Sequence, residues 1–569
     1  MDEQMSHHPA DGLISRREFL KFSGTASAGL VLGNVLAALG DPDSPALRQP
    51  NAIEDVREIG LPPVAPLEVI ALNRMGFGPT QQAVQDFRAL GSTDEARLTA
   101  YITQQLNPDS IDDTELDNRI TAMGVETLTK PYAQMWQDYF LMGDISWSVR
   151  QTATREAIYL SYLRATYSKK QLFEVLVDFW HNHFNIYPWL SSWVFTTFMA
   201  YDRDVIRAHT LGNFREMLEA VATSPHMLYY LDNYVNTDAD PNENYARELV
   251  ELHTMGAENY LGVIDQLNVP GHEFNVPNSP QGYVDQDVYE AARCFTGWRI
   301  NYRNGAPGDS GEFLYYDTWH DSDLKYVLGK RIPDNQGEMR DGRDVLDLLA
   351  THPGTARFIA RKLCRRLVTD DPPESLVEAA AQVFHDNVDA PDQIKRTVEV
   401  ILRSDTFKST WGEKIKRPFA FAIGVLRATN AEFLPSNEWN RNFQRMGQAI
   451  FGRPSPDGYP DTRDAWISTT SILQRWRLTN DIVENWIDDL TVDIVAETPT
   501  DLRTPNALAD YWIERILGRE MHPAENREEI VDFLAQGRNP DYDLPDDLRQ
   551  TRLPRAVILI CVSPDFQLR

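Results

Sequence analysis

Apolar residues recur at three- and four-residue spacing through most of the chain, in segments such as "LEVIALNRMGF", "TDEARLTAYITQQL" and "TREAIYLSYLRATY". The same period runs through "DVLDLLATHPGTARFIARKLCRRLV", "ESLVEAAAQVFHD" and "QIKRTVEVILRS". It predicts one amphipathic helix after another, punctuated by Gly and Pro as at Gly76-Phe77-Gly78-Pro79 and Asp371-Pro372-Pro373. Two regions break the period. Residues 262–340 are rich in Gly, Pro, Asn and aromatics, and "GEFLYYDTWHD" with "LKYVLGKRI" predicts a short hairpin. Residues 452–463, "GRPSPDGYPDTR", predict a long turn-rich loop. The expected class is mainly α: a large multi-helix body with a small loop-rich, β-hairpin insertion. The expected layout is a leader over 1–40, a Pro-rich linker over 41–65 and a single helical domain over 66–569.

One predicted helix, "QLFEVLVDFWHNHFNIYP", must end before Pro188. On a helical wheel Leu172, Val175, Leu176, Phe179 and His183 share one stripe, and His181 lies about 160° away, beside Val177 and Glu174. Apolar residues lie on most sides, so the helix is expected to be buried. While it stays regular, His181 and His183 cannot grip the same ion. Each alone is more often a hydrogen-bonded core histidine than a ligand.

A second dense segment is "DADPNENYARELVELHTMG". Asp240 as N-cap, Pro241 next and Glu243 third predict a capping-box start, with Gly256 as the stop. Ala246, Leu249, Val250 and His253 form an apolar stripe. Asn244, Glu248 and Glu251 cluster opposite, and Glu243 pairs with Arg247 four residues on. The Glu–His spacing does not fit a metalloprotease helix. Asp238, Asp240, Asn242 and Asn244 read as a capped turn, because a calcium loop would need glycine at its sixth position. Asn244, Arg247 and Glu248 are the best candidates for a buried polar network, with Glu248 facing His181. In "YYDTWHDSDLKYVLGK", His320 and Asp321 form a loop pair able to tune a base or supply ligands. Trp298 is expected to be an aromatic packing anchor.

Charge and composition narrow the classes. With 55 basic and 84 acidic residues the net charge is −29, which argues against nucleic-acid binding and suits cations or neutral polymers. Cys294, Cys364 and Cys561 lie far apart, and no disulfide is expected. Near the start, "SRREFLKFSGTASAGLVLGNVLAALG" pairs Arg16 and Arg17 before a mild apolar run. This resembles a twin-arginine export signal and makes the export machinery an expected partner. No later run reaches the ~18 apolar residues of a spanning helix, so a periplasmic or otherwise extracytoplasmic, soluble mature chain is expected. A phosphate-cradling glycine loop, a Gly-x-Ser-x-Gly elbow and a Cys-x-x-Cys pair are all missing.

Several stretches together ("FWHNHF", "PNENYARELVELHTMG", "DVYEAARCFTGW", "HDSDLKYVLG", "LATHPGTARFIARKL" and "PDGYPDTRDAWISTTSILQRW") resemble the bacterial family catalogued as domain of unknown function 1800. The likeness runs from "LNRMGFGPT" to the closing "SPDFQLR", about residues 66–569. It implies an exported, mostly helical protein, often encoded beside another exported family whose product is a candidate partner. It carries over no catalytic role. Two readings of function stand. One is a periplasmic enzyme whose catalytic set is His181, Glu248, Arg247, His320 and Asp321, or whose metal set (a divalent ion being the candidate cofactor) is His181, His183, Asn244 and Glu248. The other is a non-catalytic envelope partner whose polar network is structural.

Overall fold

The computed structural model describes residues 62–271, 280–303 and 308–569; the expected export signal and most of the linker lie outside them. The described residues are mainly helical, with three small two-stranded antiparallel sheets. The family-scale expectation of a mostly α body with a minor β insertion is met. Backbone proximity divides the chain into two compact units. One takes the described residues up to Ala100, then Ser409–Gly447 and Thr462–Arg569; the other takes Tyr101–Lys408 and Gln448–Asp461.

The second unit holds the dense polar segments. Helix α1 (Thr152–Tyr167) precedes α2 (Gln171–His183). In α2, Leu172, Val175, Leu176, Phe179 and Trp180 are buried on nearly every side, as its all-round apolar wheel requires. The helix ends at Phe184, before Pro188. Beyond several shorter helices lie α3 (Glu243–Glu248), α4 (Asp285–Cys294) and two hairpins: β1 (Trp298–Ile300) with β2 (Phe313–Tyr315), and β3 (Lys325–Val327) with β4 (Lys330–Ile332). The expected pairing of "EFLYY" with "LKYVLGKRI" is corrected here. Instead β2 pairs with the preceding β1, and β3 with β4 across the two-residue turn Leu328-Gly329, both of whose residues have positive φ. Trp298 is fully buried against Phe295 and Phe313, the anchor it was expected to be.

Helices α5 (Arg340–Thr351) and α6 (Pro353–Leu367) follow, joined at His352. His352 caps α6, its Nδ1 accepting from Gly354 N at 2.9 Å, and Pro353 opens the first turn. The stripe Ala356, Ile359, Ala360, Leu363 and Leu367 is buried. In the first unit the main helices are α7 (Pro418–Ala428), α8 (Thr469–Val483), α9 (Pro505–Leu517) and α10 (Asp546–Val562). All three cysteines are buried free thiols. Among the described residues no helix is long and apolar enough to cross a membrane.

Candidate acid–base site

The two histidines of α2 go to different partners, as their opposed wheel positions demand. His181 Nε2 lies 2.9 Å from Asp202 Oδ1. Asp202 stands on a π-helical turn, Tyr201–Arg207, and also receives Arg164 Nη1 of α1 at 3.2 Å. Burial works against the Asp202 carboxylate, yet His181, Arg207 and Arg164 hold its pKa well below the usual range.

His183 turns the other way. Its Nε2 lies 3.1 Å from the backbone oxygen of His253, and a carbonyl can only accept. The proton therefore sits on Nε2, and Nδ1 accepts from Lys362 Nζ of α6 at 2.8 Å. Burial and the Lys362 charge push His183 well below the ordinary histidine range. His253 is fully buried, and neither of its ring nitrogens has a hydrogen bond among the described residues. Burial pushes it down to about 3, so both rings are neutral. Lys362 is half-buried, and burial brings its pKa down to about 8 against the pull of Asp461 and Asp457.

The turn-rich loop supplies that pull. Asn182 grips it from α2 at both ends of one amide: Nδ2 donates to Tyr459 O at 2.8 Å, and Oδ1 accepts from Tyr459 N at 2.7 Å. Asn185 Nδ2 donates to Arg453 O and Ser455 O at 3.0 and 2.8 Å, and Tyr230 OH donates to Pro454 O at 2.7 Å. Gly458, at φ +71°, lies so close to Asn182 that a Cβ would strike its carbonyl. So clamped, the loop presents Asp457. Burial acts against its carboxylate, but Arg453, whose Nη2 is 3.0 Å from Oδ2, and Ser455 keep it ionised.

The charge of the loop's Asp457 acts on Glu248. The N-cap of α3 is Asn242, whose Oδ1 accepts from Asn244 N at 2.9 Å, and this corrects the expected cap at Asp240. Asp240 is spent in a tight turn with Thr237. The ion pair Glu243–Arg247 forms at 2.9 Å. After Glu248 the helix widens into a π-turn, Leu249–Thr254, which carries His253. Such turns are rare and concentrate at functional sites. Glu248 is half-buried and has no hydrogen bond or ion pair among the described residues. Burial, then Glu251, and then Asp457 raise its pKa.

The expected buried network of Asn244, Arg247 and Glu248 is not what the chain builds. Asn244 is exposed, and Arg247 pairs outward with Glu243 and with Asp285 at 3.1 Å. The proposed ligand set His181, His183, Asn244 and Glu248 is not brought together either. Among the described residues, no group of three or more His, Cys, Asp or Glu is placed to hold a metal. The reason is the helix itself: positions two apart face away from each other.

His320 and Asp321 belong to another network. His320 Nε2 lies 3.2 Å from Asp341 Oδ2, and its Nδ1 lies 3.0 Å from Thr296 O. Asp321 is forked by Arg293 at 2.7 and 3.2 Å. Fully buried Lys325 joins them, donating to Asp341 at 2.7 Å and to the backbone oxygens of Asp321 and Asp323. With every ammonium proton engaged, this cluster ties the β3–β4 hairpin to α5.

The sequence reading missed Asp202, Lys362 and Asp457, along with the clamp formed by Asn182, Asn185 and Tyr230. For Asp457 a signal existed, since "PDGYPDTR" stood out as a loop of unusual composition. Residues 70–568 match the family described as "Protein of unknown function (DUF1800)". No curated protein and no solved structure matches the chain. The match spans nearly the whole sequence and takes in every segment that meets at this site, and the chain belongs to the DUF1800 family.

Proposed function

We propose that the chain is an extracytoplasmic acid–base hydrolase whose reacting pair is Glu248 and Asp457. The observation that carries this reading is an unpaired, half-buried carboxyl whose pKa is raised by burial, by Glu251 and, least, by Asp457, which is itself kept ionised on a clamped loop. Environments that separate two carboxyl groups in this way assign them roles: Glu248 gives and retrieves the proton, and Asp457 carries the negative charge. Lys362, bonded to a neutral His183, adds a cation on which the charge of Asp457 acts. The reaction class that best suits two such carboxyls is cleavage of a glycosidic bond, with a neutral envelope glycan as substrate. Export through the twin-arginine route fits the leader and a chain that must fold before it crosses the membrane.

The test is a hydrolysis screen on purified protein, starting with aryl glycosides and cell-wall glycan fragments, run beside Glu248→Gln and Asp457→Asn. Turnover lost in both variants, with folding intact, supports the reading. Turnover unchanged in both would refute it. Complete inactivity of the wild type would move the assignment to a non-catalytic envelope partner, for which the clamped loop is a rigid docking edge.

A further inference from the structure

Apart from the acid–base pair, the second unit carries a wall of aromatic rings. Its floor is Trp136, 1 % exposed, on the π-helical segment Trp136–Leu141. Phe140, four residues on, stacks on it with ring centroids 4.0 Å apart. Trp193, on the short helix Ser192–Phe195, meets both edge to face at 5.6 and 5.8 Å. From Trp193 the rings continue face to face. Tyr229 lies 5.1 Å from it at an interplanar angle of 22°, and Tyr234 lies 5.0 Å from Tyr229 at 20°. Tyr302, just past β1, stands across Trp193 at 4.9 Å and 81°. The turn between the two tyrosines is set by Asp232, whose backbone is left-handed at φ +59° and whose N–H donates to Tyr229 O at 3.3 Å. Aspartate tolerates that conformation, and the turn brings Tyr229 and Tyr234 together.

Rings that served packing alone would be sealed from water, as Trp136 is. Trp193, Tyr229, Tyr234 and Tyr302 are instead half-buried. Among the described residues, the three tyrosine hydroxyls and the indole N–H of Trp193 have no hydrogen bond. The Asp232 carboxylate is exposed, and its one side-chain partner is Asn244 Nδ2 at the long distance of 3.5 Å. Flat apolar faces with open donors and acceptors at their rims are how recognition sites are lined. The ligand must match them: apolar on its faces, hydroxylated at its edges, and not anionic in the field of a chain with net charge −29. A pyranose ring is built that way, with C–H bonds on its face and hydroxyls round its rim. We propose that Trp193, Tyr229, Tyr234 and Tyr302, with Asp232 accepting from sugar hydroxyls, form a binding surface for a neutral saccharide chain. The surface is continuous with the clamped loop through Tyr230, next to Tyr229, whose hydroxyl donates to Pro454 O at 2.7 Å. Binding stands on the aromatic wall alone; the role of the bound chain as substrate rests on the hydrolase reading.

The test is calorimetric titration of the full chain with chitohexaose and with cellohexaose, in a Glu248→Gln background so that a bound chain is not cut. At least one of the two should bind saturably, and hexagalacturonic acid should bind at least about tenfold more weakly. Trp193→Ala and Tyr234→Ala should each weaken binding at least about tenfold, whereas Tyr234→Phe, which keeps the ring, should stay within about threefold. Tyr234 stands on a short surface turn, so its variants decide if Trp193→Ala does not fold. Three results overturn the proposal: no saturable binding of either neutral hexasaccharide, binding untouched by Trp193→Ala and Tyr234→Ala, or equal binding of the acidic one. So does a dimer in sedimentation that Tyr234→Ala dissociates, because a second copy would then occupy the wall. Saturable, wall-dependent binding with no cleavage by the wild type supports the surface and counts against the hydrolase reading alone.

Discussion

His181 and Asp202 form a buried imidazole–carboxylate pair at 2.9 Å, with Arg164 on the second carboxylate oxygen at 3.2 Å. Asp202 comes from a π-turn, so the pair joins α2 to that turn through side chains alone. Removing Asp202 leaves the Arg164 guanidinium and the His181 ring buried without their carboxylate. Asp202→Ala is expected to cost about 3–5 kcal/mol, read as a lowered urea midpoint. The sign with pH follows from the depressed carboxyl. The pair stabilises above the ordinary Asp range, and that stability is lost as pH falls toward the lower folded pKa. The wild type should lose more stability than Asp202→Ala as the solution is acidified from pH 5 to pH 2.

Glu248 behaves in the opposite sense. Its folded pKa is raised, so the folded state keeps the proton longer, and stability falls as pH rises from the ordinary Glu value through the raised one. Glu248→Gln should therefore be at least as stable as wild type at pH 7. On the proposed substrate class it should lose about 10²–10⁴-fold in kcat. A variant that loses activity because it has unfolded would contradict the assignment.

Lys362 should be the most selectively reactive amine near pH 8. Ordinary lysines titrate at about 10.4, whereas burial brings this one down to about 8. Acylation followed by peptide mass spectrometry should give a reactivity midpoint near pH 8 at Lys362 alone among the half-exposed lysines. The same depression makes stability decline as pH drops from the unfolded value to about 8, then level off. In Lys362→Met that slope should vanish.

The clamp on the loop can be broken from either side. Gly458→Ala demands a left-handed backbone from alanine and places a methyl against the Asn182 carbonyl. A loss of about 1–3 kcal/mol is expected. Asn182→Ala removes both hydrogen bonds to the Tyr459 backbone, at about 1 kcal/mol each. Both variants should lose activity through displacement of Asp457, with kcat falling more than KM rises.

The α2 helix, its stop before Pro188 and the divergence of its histidines could all be read from periodicity, because burial on every side and a two-residue offset are local facts. The Glu243–Arg247 pair and the role of Trp298 followed from the same local rules. The widening after Glu248 did not, since no residue type there demands a π-turn. Nor did the contact of Asn182 with Tyr459, which are 277 positions apart. Lys362 looked like any basic residue in "ARKLC"; only the packing of α6 against His183 sets it apart. His320 and Asp321 drew notice as a loop pair, but their partners Asp341 and Arg293 lie on other elements.

Residues 448–461 belong to the second unit, although the stretches before and after them belong to the first. A ribosome that has made everything up to Gly447 has released His183, Glu248 and Lys362 but neither Asp457 nor Tyr459. The site therefore cannot exist on a nascent or truncated chain of that length. Possession of Asp457 in its clamp is a certificate that four-fifths of the polypeptide has been synthesised and threaded correctly.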